Sequence, residues 1–173
     1  MPFTASGIYV HTIQEALRAT AITGTGGLDF RLATWRIALH NNSLTQGTAP
    51  IDYSAVDTTW ANTNEVTGTG WNGGASGGHL LSAAAVGSTS TAPTLAEGTA
   101  GSLRYDMGDV SVASTTLTGV RGCIIYADNV TAPADLADAM AVAVTFGADF
   151  ATVNGTFGIQ WSATGVFEID LTP

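Results

Sequence analysis

The acid–base groups of the chain are fourteen carboxylates and three histidines, set against five arginines and no lysine. Three pairs of carboxylates lie close in sequence: Asp106 with Asp109, Asp135 with Asp138, and Glu168 with Asp170. Two carboxylates flanking a sugar bond could hydrolyse it. Each pair, however, sits near a turn or a strand end, where aspartate caps or is solvated, and no cleft-lining pattern surrounds it. His11, His40 and His79 occur in three different contexts, none with a second histidine or a cysteine at zinc-ligand spacing. Asp106, Asp109, Asp128 and Asn129 supply hard oxygens suited to calcium, but the EF-hand pattern of acidic residues around a central glycine is missing. Gly68-Thr69-Gly70-Trp71-Asn72-Gly73-Gly74 has neither the lysine nor the strand-to-helix setting of a phosphate cradle, and reads as a turn-rich loop needing positive φ angles. The single cysteine, Cys123, lies in the apolar run Val120–Tyr126 and reads as a small buried hydrophobe. The expectation is a non-enzymatic protein with no cofactor and no metal.

Charge narrows the partners. A net charge of −9 and a pI near 4.3 disfavour a phosphate backbone or an anionic membrane surface. No stretch approaches the roughly 18 apolar residues of a membrane span, and the N-terminus lacks a basic region followed by an apolar one, so the chain is expected to be soluble and unprocessed. Asn41-Asn42-Ser43, Asn129-Val130-Thr131 and Asn154-Gly155-Thr156 match the glycosylation acceptor pattern, which carries no weight without a secretion signal. Only 11% of residues are charged while 45% are hydrophobic. That balance is unusual for a free monomer, which keeps a well charged surface for solubility, and it points to assembly.

The elements that must position these residues are mostly strands. Ser6 could cap a short helix in which Tyr9, Ile13, Ala16 and Leu17 form one apolar stripe, within an N-terminal arm over 1–27. From Arg31 to His40 the period is two, with Ala33, Trp35, Ile37 and Leu39 on one face and Thr34, Arg36 and His40 on the other. Residues 41–78 and 88–101 read as long glycine-rich loops, the first holding Tyr53, Trp60 and Trp71, where contact with a partner is expected. Strands are then expected over Leu103–Met107, Leu117–Tyr126, Ala139–Phe146, Phe157–Trp161 and Val166–Leu171. Met140, Val142, Val144 and Phe146 share one face of their strand, and Asn154-Gly155 signals a hairpin turn. The whole, 1–173, is expected to be one mainly β domain, an antiparallel β-sandwich or jelly roll with one short N-terminal helix.

The segment from Trp60 to Trp71, Trp-Ala-Asn-Thr-Asn-Glu-Val-Thr-Gly-Thr-Gly-Trp, resembles a stretch of small virion structural proteins of tailed bacteriophages. Trp35-Arg36-Ile37-Ala38-Leu39-His40-Asn41-Asn42 is similar to the early strand of that group, and Arg121 to Asp128 to its later strand ending in Tyr and Asp. The run Asn154 to Phe167 resembles its closing hairpin. The chain departs from the pattern in having Gly73-Gly74-Ala75-Ser76-Gly77-Gly78-His79 where two glycines would lead directly into a strand. The resemblance implies a virion component without enzymatic activity, in the head or the tail.

Of these, a capsid decoration protein is preferred. It would bind the major capsid protein and copies of itself on the outer capsid surface, commonly as a trimer. A tail-tube, tail-terminator or baseplate-associated subunit is the alternative. A carbohydrate- or receptor-binding module is a second alternative, one that burial of Trp60 and Trp71 would remove. Interface candidates are Phe3, Ile8, Tyr9 and Ile13 as anchors of the arm, Trp60 and Trp71 in the long loop, and Arg36 and Arg104, at least one of which is expected at a subunit contact as a partner for aspartate.

Overall fold

Alternation in the strand that ends at His40 is borne out and organises the fold. In the computed structural model, which describes residues 3, 5–10, 13, 34–46, 49–50, 59–81, 94–98, 101–128 and 138–171, this strand, β2 (Thr34–His40), lies inside a five-stranded antiparallel sheet. Its neighbours are β8 (Val110–Asp128) on one side and β5 (His79–Leu80) on the other, and β9 (Ala139–Ile159) and β1 (Gly7–Ile8) continue the sheet beyond β8. A second sheet holds β6 (Thr94–Glu97), β7 (Ser102–Asp106) and β10 (Phe167–Asp170), with β7 central. Two further short strands, β3 (Thr45–Gln46) and β4 (Ala49–Pro50), pair with each other. The two main sheets give the expected mainly β, sandwich-like architecture.

The five-stranded sheet is covered on both faces. Trp35, Ile37 and Leu39 of β2 and Cys123, Ile125 and Ala127 of β8 form the main core with Tyr105, Met107 and Trp71. Trp35 meets Tyr105 edge to face, with ring centroids 5.7 Å apart, and so ties one sheet to the other. On the opposite face Ala38, Ile124, Tyr126, Met140 and Ala143 pack with Phe3, Tyr9 and Leu44, and Trp60 leans on them. A sheet sealed on both faces reads as near-continuous apolar sequence, which is why Gly122–Ala127 is buried residue after residue.

Several expectations are corrected here. No helix is seen from Ser6 to Tyr9: Gly7 and Ile8 pair with Ala143 and Val142 as strand β1, and the Ser6 hydroxyl accepts the Thr145 N–H at 2.9 Å instead of capping. The rest of the arm, to residue 27, lies outside the described residues apart from Val10 and Ile13, whose backbone is helical. The stretch read as a loop over 88–101 contains β6.

Asn154-Gly155 does not turn the chain; it lies inside the single strand β9, as does the segment Gly147-Ala148-Asp149 that joins the two strands expected there. The β8–β9 ladder absorbs them as bulges, because the pairs Val110 with Ile159 and Val112 with Phe157 keep apolar side chains inward beyond the interruption. Four of its register shifts each contain one residue of positive φ: Ser114 at 56°, Asn154 at 48°, Gly119 at 71° and Gly147 at 76°. A fifth shift skips Ala141, since Ile125 faces Val142 while Tyr126 faces Met140. One unpaired residue inverts the alternation, so Met140 joins the second layer while Val142 and Val144 face the main core.

Candidate assembly surfaces

The loop over residues 59–78 is fastened to the sheet through Gly77 and Gly78. Arg36 and Asp128 occupy outward positions on adjacent strands, and Arg36 Nε donates to the Asp128 carboxylate. Arg36 Nη1 also donates to the Gly78 carbonyl at 3.2 Å and to the Gly77 carbonyl at 3.4 Å. From the other side the Glu65 carboxylate accepts the Gly77 N–H at 3.0 and 3.1 Å and the Gly78 N–H at 2.8 Å. The Tyr126 hydroxyl donates to the Gly77 carbonyl at 2.6 Å. Gly78 has φ +65°, and a Cβ there would sit 2.7 Å from the Ile37 carbonyl oxygen, so the close approach of loop to strand requires glycine.

Burial sets the titration of this region. It raises the Glu65 pKa against the lowering effect of the two glycine N–H groups. It raises that of Tyr126, with Arg36 opposing and Asp128 adding. It lowers that of His79, helped by Arg36. Charge-assisted bonds from a carboxylate to backbone N–H are the stronger kind. Glu65→Ala, which deletes all three, is expected to cost about 2 kcal/mol, read as a lower urea midpoint with an unchanged slope.

Beside this latch the Trp60 ring stacks on Tyr126, 4.4 Å between centroids and 3° between planes. Its Nε1–H donates to His40 Nε2 at 3.1 Å. His40 is fully buried, and burial brings its pKa down to about 4, so the imidazole is neutral and able to accept.

The expected interface residues are thus largely used within the chain. Phe3, Tyr9 and Trp71 are buried, at 5%, 1% and 0% exposure. Phe3 lies on Gly122, where a Cβ would meet its ring at 2.2 Å, and its carbonyl accepts from Thr145 Oγ1 at 2.9 Å. Trp71 packs edge to face on Phe157, with centroids 5.8 Å apart. Ile8 and Ile13 are half-buried, and Ile8 packs against the main core. The Arg36 guanidinium is held by Asp128 and the glycine carbonyls. Arg104, on β7 of the three-stranded sheet, lies 3.8 Å from Asp106 and is 35% exposed. Trp71 is closed to a sugar and Trp60 has one face stacked, so the two do not form an aromatic platform.

Members of the candidate acidic pairs are likewise engaged within the chain. Asp109 accepts the Trp161 N–H at 3.0 Å, Asp106 accepts the Met107 N–H at 2.9 Å, and Glu168 accepts from the Ser102 hydroxyl. Asp135, Asn129 and His11 lie outside the described residues. Among the described residues no group of three or more His, Cys, Asp or Glu is placed to hold a metal ion. No helix there is long and apolar enough to cross a membrane.

What the sequence did not single out is the free side of β9. β1 covers only Val142 and Ala143, and beyond them, from Phe146 to Ile159, β9 has β8 as its one strand neighbour among the described residues. An open groove of about 440 Å³ runs beside it, lined chiefly by Val144, Phe146, Phe150, Phe157, Trp161 and Val166. Phe150 is 48% exposed and Val153 is 86% exposed, making them two of the four exposed large hydrophobic residues described. The signal available in the sequence was the run Ala139–Ile159, which contains no proline and one charge, Asp149. No protein family, curated protein or solved structure matches the chain.

Proposed function

We propose that the chain is a non-enzymatic structural protein of a tailed-bacteriophage virion, a decoration protein that binds the major capsid protein on the outer capsid surface together with copies of itself. The observation that carries this reading is that three of the segments resembling phage virion proteins meet as one packed unit. Trp35–His40 pairs with Gly122–Ala127 residue for residue along β2 and β8. The Trp60–Trp71 segment is fastened to both: the Val66 N–H donates to the Leu39 carbonyl at 2.7 Å, and Trp60 stacks on Tyr126. These are the segments on which the resemblance rests, and together they form the centre of the larger sheet and the loop fastened to it.

The low charge, the aromatics turned inward and the bulged ladder suit a particle component that must stay folded and be buried in repeated contacts. The decisive experiment mixes the purified protein with heads of its parent phage assembled without it, and follows sedimentation. Co-sedimentation with expanded heads is the expected result. Binding to tails alone would favour the tail-tube, terminator or baseplate reading, for which the free edge of β9 is the supporting feature, since rings are closed by shared strand edges. Binding to neither would overturn the virion reading.

A further inference from the structure

We infer that the free edge of β9 is a self-association surface, on which the same strand of a second copy pairs antiparallel about a two-fold axis. This stands apart from the capsid reading, because a chain that binds no phage head would still associate through this edge.

An uncovered strand edge offers a row of backbone N–H and C=O groups to any other strand, and proteins guard such edges with lysine, proline, inward charges, bulges, short length or a covering segment. Among the described residues β9 has only the bulges. It is 21 residues long, and its free portion contains no proline and no lysine. Its one charge, Asp149, is answered within the same copy by Arg121 Nη1 at 3.3 Å. The bulges bend the strand but do not break its pairing with β8, which resumes on both sides of each.

The occupant follows from the chemistry of the edge. The one charge on the edge, Asp149, is already paired with Arg121, so a charged strand finds little there to recognise, whereas an apolar strand of Val, Thr, Ala, Phe and Asn would meet its like. β9 is itself such a strand, so the edge is complementary to a second copy of itself, as a two-fold contact demands. In this arrangement the apolar grooves of the two copies lie on the same side of the joined sheet and face each other across the axis. Phe150 and Val153 of each copy are then covered by the other.

The area fits a weak, concentration-dependent contact. From Phe146 to Ile159 the strand runs about 45 Å, and with a sheet-packing thickness of about 10 Å each copy contributes about 450 Å². Two copies bury about 900 Å², the size of a transient interface and not of a permanent one.

The test uses the intact chain. Light scattering at tens of micromolar is expected to give twice the 17.6 kDa chain mass, or an even multiple of it. In hydrogen exchange the β9 amides over 150–156 are expected to be protected in the assembled protein. Val153→Lys places a guard on a side chain already open to solvent and leaves the fold intact. It is expected to weaken association at least tenfold and to release the 150–156 amides while leaving those of β2 protected. Thr156→Lys, also at an exposed position of the strand, serves as the second variant and is expected to act alike. A monomeric wild type, an odd-numbered ring, or an assembly whose mass and β9 protection survive both substitutions would overturn the inference.

Discussion

Replacing Trp71 by alanine is expected to lower the free energy of unfolding by about 4 kcal/mol, the upper part of the range for a large aromatic removed from a core. The indole is wholly buried and touches Phe157 of β9 and His79 of β5, at centroid distances of 5.8 and 5.2 Å. It therefore joins two elements that no backbone ladder connects. The cavity cannot easily collapse, because the loop carrying Trp71 is held against β8 by glycine contacts. A Cβ on Gly68 would lie 2.1 Å from the Thr116 carbonyl oxygen, and one on Gly70 would lie 2.6 Å from that of Ser114. Equilibrium urea unfolding of the alanine variant measures the loss. A value near 1 kcal/mol would mean that Trp71 is not part of the main core.

Acid is expected to destabilise the protein through His40. The unfolded imidazole titrates near 6.5 and the buried one near 4, so between these values the unfolded chain holds a proton that the folded chain refuses. Stability is then fully present above pH 6.5 and falls as pH drops toward 4, by about 3 kcal/mol over the window. Protonation of Nε2 would also break its bond from Trp60, since an imidazolium accepts nothing. Glu65, with its raised pKa, works in the opposite direction. The informative quantity is therefore the difference between the wild type and His40→Gln, measured by urea unfolding from pH 7 to pH 4. The wild type is expected to show the steeper loss, and parallel pH profiles would show that His40 titrates normally in the folded chain.

The sequence carried the periodic parts of this structure well and the exceptions poorly. β2 and the inner part of β8 were legible because alternation and apolar runs report burial directly. Asn154-Gly155 misled because a residue at positive φ serves a bulge as well as a turn. Which of the two forms depends on whether a partner strand continues beyond it, and that is a long-range fact. Met140 was assigned to the wrong face by one unpaired alanine. At the candidate sites, Arg36 was recognisable as a residue with a role, since arginines are scarce. Its partners were not, because Asp128 is 92 residues away and the glycine carbonyls have no side-chain signature. Trp60 and Trp71 announced themselves by type, but only packing could tell an anchor from a platform. The free edge of β9 left no positive mark, being defined by the residues it lacks.

The sealing of the second sheet face by Phe3 also has a kinetic side. The contacts of Phe3 reach Arg121 and Thr145, 118 and 142 positions further along the chain. At about 5–20 residues per second of synthesis, the N-terminal segment waits about 7–30 s for the strands it closes upon. The ladder of β8 with β9 is equally non-local, a feature that slows folding. During that interval Ile124, Tyr126 and Met140 emerge on a sheet face whose cover was made first but cannot complete its bonds until Thr145 follows. The nascent chain is therefore most vulnerable to aggregation late in translation, and a chaperone that captures exposed strands would act on this face.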